Sequence, residues 1–254
     1  MSLLSAKNIT FGVSGRLLCK ELNFQVDTGE CWGVLGPNGS GKTTLLHTLA
    51  GLRPLQNGQL SILDTPMQQL GRRRIARHIG LLLQDSHDPF PATVWETVLS
   101  GRHPHLKRWQ TEGEEGMELA QNALERMQLT GMEGRQVQTL SGGERRRLAF
   151  ATLLTQAPPL MLLDEPLNHL DLRHQQLLLQ TVQELRTTGH AIIMVLHDPN
   201  QAVRYCDRVM FLKGNGAWSL GPVREMMDSA RLSELYGCTI DSVEVDGRRW
   251  FHYL

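Results

Sequence analysis

The stretch GPNGSGKTT, residues 36–44, has the residue types and spacing of a phosphate-binding loop. Residues 36–43 fit the pattern G-x-x-x-x-G-K-[ST], in which glycines let backbone N–H groups approach phosphate oxygens. In this pattern Lys42 contacts the β- and γ-phosphates, and the Thr43 hydroxyl ligates Mg²⁺. We therefore predict a site for ATP and Mg²⁺ at Gly36, Pro37, Asn38, Gly39, Ser40, Gly41, Lys42, Thr43 and Thr44.

Two acidic residues follow an apolar run in LMLLDEP, residues 160–166. The run predicts a buried strand, so both carboxylates stand at its carboxyl end. We predict that Asp164 reaches the Mg²⁺ shell and that Glu165 polarises the attacking water. Taken alone, such a pair is equally typical of a solvated strand end. The phosphate-binding loop in the same chain favours the catalytic interpretation.

Polar side chains also close two other predicted strands. Gln84 ends GLLLQ, and His197 ends MVLH. Because ligands of open α/β sheets bind at the carboxyl ends of strands, we predict that Gln84, Glu165 and His197 surround a γ-phosphate. The amide oxygen of Gln84 is a further candidate metal ligand. Each residue taken singly is also typical of a structural polar group at a strand end.

LSGGE, residues 140–144, is a second candidate anion site. Ser141 and Glu144 have the spacing of a capping box, Gly142 and Gly143 expose the backbone, and the helix dipole favours a negative charge there. Residues 36–44 already hold this chain's own nucleotide. The second segment is therefore predicted to complete the nucleotide site of a second copy, in a two-fold, head-to-tail dimer with ATP at its interface.

The elements that position these residues begin with strands. NITFGV and LNFQV alternate apolar and polar residues, and CWGVLG is an apolar run that leads into the phosphate-binding loop. Asn57-Gly58 predicts a hairpin turn before QLSIL. RHIGLLLQ, residues 77–84, is predicted to be a buried strand.

From about residue 85 to 155 the hydrophobic period becomes helical. Thr93 and Glu96 have capping-box spacing, and one helix face is predicted to carry Met117, Ala120, Leu124 and Met127. Strands then return at LMLLDE, AIIMVLHD and RVMFLKG, with a helix between the first two. The fold class is α/β: a mostly parallel sheet flanked by helices, with an antiparallel N-terminal part and an inserted helical lobe.

Composition gives little indication of partners. The chain has 26 basic and 26 acidic residues among 254, so its charge does not predict binding to nucleic acid. The N-terminus lacks the build of a signal peptide, and no apolar run approaches the roughly 18 residues that cross a bilayer. Four cysteines without CxxC spacing fit a reducing compartment. We expect a soluble, cytoplasmic chain that needs a partner for any membrane role.

The ordered set GPNGSGKTT, Gln84, LSGGE, LMLLDEP, NHLD and His197 resembles the ATPase subunits of ABC transporters over essentially the whole chain. The resemblance implies one nucleotide-binding domain, residues 1–254, with a helical subdomain at about 86–150. It also implies that Glu165 is the catalytic base, that His197 contacts the γ-phosphate, and that LSGGE acts on the nucleotide of the second copy. Residues 167–171, LNHLD, would form the D-loop of the family.

Finer features resemble the importers of iron–siderophores, haem and cobalamin. They are the segment at residues 89–105, the sequence EPLNHLDL, and the tail from residue 220 to 243. The resemblance implies a motor at the cytoplasmic face of the membrane, bound to permease subunits and served by an extracytoplasmic binding protein. Residues 85–105 would contact the permease. A soluble ABC ATPase acting on ribosomes or nucleic acid, and an exporter ATPase, stay open as alternatives.

Two positions depart from the family pattern. Val13 stands where an aromatic residue commonly stacks on adenine, and the nearest aromatic residue is Phe11. Arg146 stands where the importer group more often has glutamine, close to the nucleotide of the second copy.

Overall fold

The computed structural model describes residues 1–84, 91–107, 110–245 and 247–253. Its strands are β1 Ser2–Val13, β2 Arg16–Asp27, β3 Cys31–Leu35, β4 Asn57–Ile62, β5 Thr65–Pro66, β6 Ile79–Leu82, β7 Leu160–Leu163, β8 Ala191–Val195, β9 Arg208–Leu212, β10 Trp218–Pro222, β11 Ile240–Val245 and β12 Arg248–Tyr253. Its helices are α1 Lys42–Leu49, α2 Arg72–His78, α3 Val94–Ser100, α4 Glu114–Arg126, α5 Gly142–Gln156, α6 Leu172–Thr187, α7 Pro199–Tyr205, α8 Val223–Met226 and α9 Ser229–Tyr236.

The central sheet of the described chain has the order β10-β9-β3-β8-β7-β6. Its strands are parallel except for β10, which pairs antiparallel with β9 at one edge. Strands β3, β7 and β8 are buried at every position, as expected for parallel strands covered on both faces. Four neighbouring strands, β3, β8, β7 and β6, therefore end side by side, and a predicted site segment follows each of them.

Two hydrophobic clusters lie on the two faces of this sheet, because side chains alternate along each strand. On β7, Leu160 and Leu162 pack into the cluster that contains α1 and the N-terminal strands. Met161 and Leu163 pack into the other cluster, which contains the helices of the inserted lobe. The sheet thus forms a rigid support between the two halves of the core.

The N-terminal sheet has the order β2-β1-β4-β5 and is antiparallel, as predicted, but its hairpin turn was wrongly placed. Asn57-Gly58 begins β4 instead of forming a turn. The two-residue turn lies at Leu63-Asp64, where φ is 46° and 62°, the sign that such a turn requires. Glycine is needed at position 58 because the backbone of Asn8 lies close by. A Cβ there would lie 2.3 Å from the carbonyl oxygen of Asn8.

The predicted strand at residues 77–84 is also partly wrong. Arg77 and His78 end α2, and β6 begins at Ile79 and ends at Leu82. Arg77 stays at the surface, where its Nε donates to the carbonyl of Pro104 at 2.7 Å. The apolar period of β6 was extended into α2 because a short strand and the end of a helix look alike in sequence.

The inserted lobe consists of α3, α4 and α5, which pack on one another. The capping box at Thr93 and Glu96 is present at the start of α3. On α4, Ala120 and Leu124 are buried as predicted, but Met117 is 41% exposed because Gly116 occupies the buried face in the first turn. No helix among the described residues is long and apolar enough to span a bilayer.

Candidate active site

The phosphate-binding loop connects β3 to α1, in the structural context that its sequence pattern requires. Gly36, Gly39 and Gly41 have φ of 155°, 74° and 102°. A Cβ on Gly36 would lie 2.3 Å from the carbonyl oxygen of Leu212, so only glycine fits there. The loop is therefore folded with its backbone close to its neighbours, as a phosphate cradle needs.

Lys42 closes this loop from inside. Its Nζ donates to the carbonyl oxygens of Gly36 at 2.8 Å and Pro37 at 3.1 Å. Burial lowers the pKa of Lys42, whereas the carboxylates of Glu165 and Asp164 raise it in part. An ammonium has three N–H donors, so one remains for a ligand beside the two carbonyls of the described chain. A phosphate oxygen could accept this remaining hydrogen bond and would bring a negative charge next to the ammonium.

Asp164 is fully buried at the end of β7, and neither carboxylate oxygen has a hydrogen bond of normal geometry among the described residues. Burial raises its pKa, and the nearby Thr43 hydroxyl lowers it. An unpaired buried carboxylate is costly unless a cation joins it. A carboxylate and a hydroxyl are oxygen ligands that suit Mg²⁺, which takes its other ligands from phosphates and water. The residues present therefore fit this ion.

Glu165 joins the ends of three neighbouring strands. Its carboxylate accepts hydrogen bonds from Gln84 Nε2 at 2.9 Å and from Asn168 Nδ2 at 2.5 Å, and it pairs with His197 Nε2 at 2.7 Å. The Glu165 side chain is 10% exposed, so it faces the protein more than the solvent. The structure thus brings Gln84, Glu165 and His197 together, as their places at the sheet edge predict.

A cleft of about 530 Å³ opens over these groups. It is lined by Val13, Arg16, Leu18, Asn38, Gly39, Gly41, Lys42, Thr43, Thr44, Gln84, Glu165 and His197. Val13 lies on its wall and is 38% exposed, whereas Phe11 is in the core and cannot reach a ligand. The cleft is large enough for a nucleotide, and its wall at Val13 offers an aliphatic surface to a base.

The LSGGE segment lies outside this cleft. Ser141 Oγ accepts from Glu144 N at 3.2 Å, and the Glu144 carboxylate accepts from Ser141 N at 2.7 Å, so the predicted capping box is present. The Ser141 N–H lowers the pKa of Glu144. Among the described residues no acceptor bonds the amides of Gly142 and Gly143. The start of α5 is free to meet an anion that this chain does not supply.

Three residues make contacts that the sequence does not predict. Arg16 lines the cleft and donates to Gly214 O at 3.0 Å. Asn168 donates a hydrogen bond to Glu165 across one turn, and the sequence LNHLD does not predict this contact. Arg146 was expected beside the second copy's nucleotide, but its side chain is buried against this chain's own strand ends. A run of arginines is typical of a solvent-exposed surface. The burial of Arg146 depends on the direction in which α5 packs against the strand ends.

A phosphate-binding loop between a parallel strand and a helix, with one buried and one hydrogen-bonded carboxylate at the end of another strand of the same sheet, defines a P-loop nucleoside triphosphatase. The family model described as ABC transporter matches residues 19–168. The chain is 35% identical over 238 residues to the ferric enterobactin transport ATP-binding protein FepC of Escherichia coli, which covers 92% of this chain and 87% of the relative.

The hemin import ATP-binding protein HmuV of Hahella chejuensis is 36% identical over 228 residues, with 87% of each chain covered. A solved ABC transporter described as metal-chelate type, in an inward-facing conformation, has a TM-score of 0.85 at 27% identity, covering 100% of this chain and 97% of that one. The chain therefore belongs to the ABC transporter family, as an ATP-binding subunit that hydrolyses ATP.

A solved dimer of a bacterial ABC transporter cassette also has this fold. Its TM-score is 0.75 at 26% identity, and the match covers 87% of this chain and 99% of that one.

Proposed function

We propose that this chain is the motor subunit of a membrane importer for metal chelates or related compounds, of the iron–siderophore, haem or cobalamin kind. One observation carries the enzymatic part of this proposal. Glu165 lies at the end of β7, bonded to Gln84 and His197, and the same cleft contains Lys42 and Thr43. A carboxylate held this way can polarise a water for attack on a phosphorus atom bound by Lys42.

Each residue then has a distinct task. The loop at residues 36–44 and Lys42 bind the phosphates, and Thr43, Asp164 and Gln84 would hold Mg²⁺. When bound, that ion would supply positive charge that offsets the charge of the phosphates. Glu165 accepts the proton of the attacking water. Gln84, Asn168 and His197 would orient Glu165, and the 48% exposure of the His197 side chain supports a contact between His197 and the γ-phosphate.

The site is completed by a second copy of the chain. Ser141, Gly142, Gly143 and Glu144 would bind the γ-phosphate held by the partner's loop, and the partner would do the same in return. The free amides of Gly142 and Gly143 support this arrangement, and so does the likeness to a dimeric cassette. Two Mg-ATP would close the dimer, and hydrolysis with release would open it.

Import through separate permease subunits follows from the relatives. FepC is a ferric enterobactin transport protein and HmuV a hemin import protein, which favours import over export or a role on ribosomes or nucleic acid. The chain would lie at the cytoplasmic face of the membrane as a single nucleotide-binding domain. Residues 85–105 would meet the permease, although residues 85–90 lie outside the described residues. An extracytoplasmic binding protein would deliver the cargo.

Substitution Glu165→Gln tests the catalytic assignment, because it keeps the size and shape of the side chain and removes its basicity. We expect steady-state ATP hydrolysis to fall about 10²- to 10⁴-fold, while ATP binding persists and a dimer accumulates in size-exclusion chromatography. The matched control is Glu118→Gln, at an exposed position on α4. Comparable turnover in Glu165→Gln and wild type would remove Glu165 from the role of base.

The transport part is tested by purifying the tagged chain from its native cells in mild detergent. We expect a polytopic membrane protein at equal stoichiometry. Reconstituted with that protein in liposomes, the chain should drive ATP-dependent uptake of ferric chelates, haem or cobalamin. Recovery with ribosomes or nucleic acid alone would overturn the importer assignment and leave the ATPase assignment intact.

A further inference from the structure

Arg146 is a buried cation that bonds to the backbone around the candidate active site. It lies in the second turn of α5, and the residue is 6% exposed. Its guanidinium donates to five backbone carbonyls, those of Leu83, Gln84, Asp164, Glu165 and Pro166. The bonds to Gln84, Asp164 and Glu165 measure 3.1, 2.5 and 2.7 Å.

These carbonyls belong to two segments that have just left the sheet. The register of β6 and β7 ends at the pair Leu82 and Leu163, and the last backbone bond runs from Asp164 N to Leu82 O at 2.9 Å. Beyond that bond the β-ladder no longer sets the distance between the segments that follow β6 and β7. Carbonyls that leave the ladder need other donors, and a guanidinium offers five N–H groups in a rigid fork. Arg146 therefore connects the two segments by hydrogen bonds at the point where the β-ladder ends.

The residues that follow the ladder are Gln84 and Glu165, whose side chains bond to each other at 2.9 Å. Glu165 has φ of 47°, a left-handed conformation that is uncommon for a residue with a side chain. Such a conformation persists only where the surroundings hold it. The hydrogen bond from Arg146 to the Glu165 carbonyl acts directly on the peptide unit whose conformation places the carboxylate.

We propose that Arg146 is a positioning residue, which holds the Glu165 and Gln84 backbones at the separation that hydrolysis requires. This inference rests on the proposed function of Glu165. The residue does not line the cleft, so it acts through the strand ends and not through the nucleotide.

The test replaces Arg146 by methionine, which is similar in length and has no donor, and by lysine, which keeps the charge. In the full-length chain, Arg146→Met should lower kcat about tenfold to a hundredfold, as small misplacements of catalytic groups do. The Kd for ATP should stay within about twofold, because the phosphate-binding loop is untouched. Arg146→Lys should restore part of kcat, since an ammonium has three donors without the planar fork.

Arg147→Met is the matched control. Arg147 is also buried in α5, and its Nη1 donates to the carbonyls of Met127 at 2.7 Å and Gln128 at 2.8 Å, inside the lobe. Both methionine variants should lower Tm, but only Arg146→Met should lower kcat. Equal loss of kcat at equal loss of Tm in the two variants would mean that Arg146 is only structural and would overturn the proposal.

A double mutant separates this proposal from the assignment of Glu165. If Arg146 acts through Glu165, Arg146→Met should cause little further loss of kcat in a Glu165→Gln background. Multiplying effects would overturn the positioning role. Wild-type turnover in Glu165→Gln alone would instead refute the assignment of Glu165 as the base, whatever Arg146→Met does.

Discussion

Two helices of the inserted lobe begin with the same local motif, but the backbone amides at the two helix starts differ in their hydrogen bonding. The capping box of Thr93 and Glu96 starts α3, and that of Ser141 and Glu144 starts α5. In both, the serine or threonine oxygen accepts from the glutamate N–H, and the glutamate carboxylate accepts in return. In both, these hydrogen bonds lower the pKa of the glutamate. The two capping boxes themselves are therefore equivalent.

Their next two amides differ. At α3, Val94 N donates to Arg135 O at 2.9 Å, and Trp95 N donates to Glu133 O at 3.0 Å. At α5, the amides of Gly142 and Gly143 have no acceptor among the described residues. A capping box leaves these two donors unsatisfied, and tertiary structure decides whether the chain consumes them. A capping box is therefore an anion site only where the fold leaves the donors open.

The largest expected effect breaks this comparison by filling one helix start. Ser141→Arg places a long cation at the open amides of α5, so hydrolysis should fall about a hundredfold or more, the order seen when one transition-state donor is lost. ATP should still bind to each chain. The same change at Thr93 should leave hydrolysis by the purified chain within about twofold. Persistent turnover in Ser141→Arg with nucleotide bound would refute the role of this segment in a second copy.

A smaller effect sharpens the comparison through stability. Thr93→Ala and Ser141→Ala each remove one capping oxygen, and each should lower the free energy of unfolding by about 1 kcal/mol. Urea unfolding of the two variants measures this difference. The local motifs are then energetically alike. A cost confined to one of them would show that tertiary contacts, and not the cap, stabilise that helix start.

The smallest effect concerns pH. The pKa values of Glu96 and Glu144 lie below the usual 4.5, so the stability they contribute is present above pH 4.5 and is lost as the pH falls through the lowered pKa. We expect the Tm difference between wild type and each of Glu96→Gln and Glu144→Gln to shrink over that interval. A difference that grows on acidification would contradict the cause assigned to these shifts.

Much of the candidate site could be predicted because its signals are local. Residues 36–44, Asp164 and Glu165 carry their chemistry in adjacent positions, and the rule that parallel strands end at one edge brought in Gln84 and His197. The misplaced turn at Asn57-Gly58 and the overlong strand at residues 77–84 have a common cause. A glycine required by the approach of Asn8, and a helix that runs directly into a strand, both depend on neighbours remote in sequence.

What the sequence by itself determined is the class of chemistry, together with the groups that we propose perform it. Loop pattern, strand ends and capping spacing are properties of short segments, and short segments are legible one at a time. The tertiary structure alone decided which polar groups meet: Asn168 on Glu165, the open amides of α5, and Arg146 on the carbonyls that leave β6 and β7. The physical reason is that a buried donor or acceptor must bond to whichever partner the packed chain brings near it. The spacing of residues along the sequence does not specify that partner.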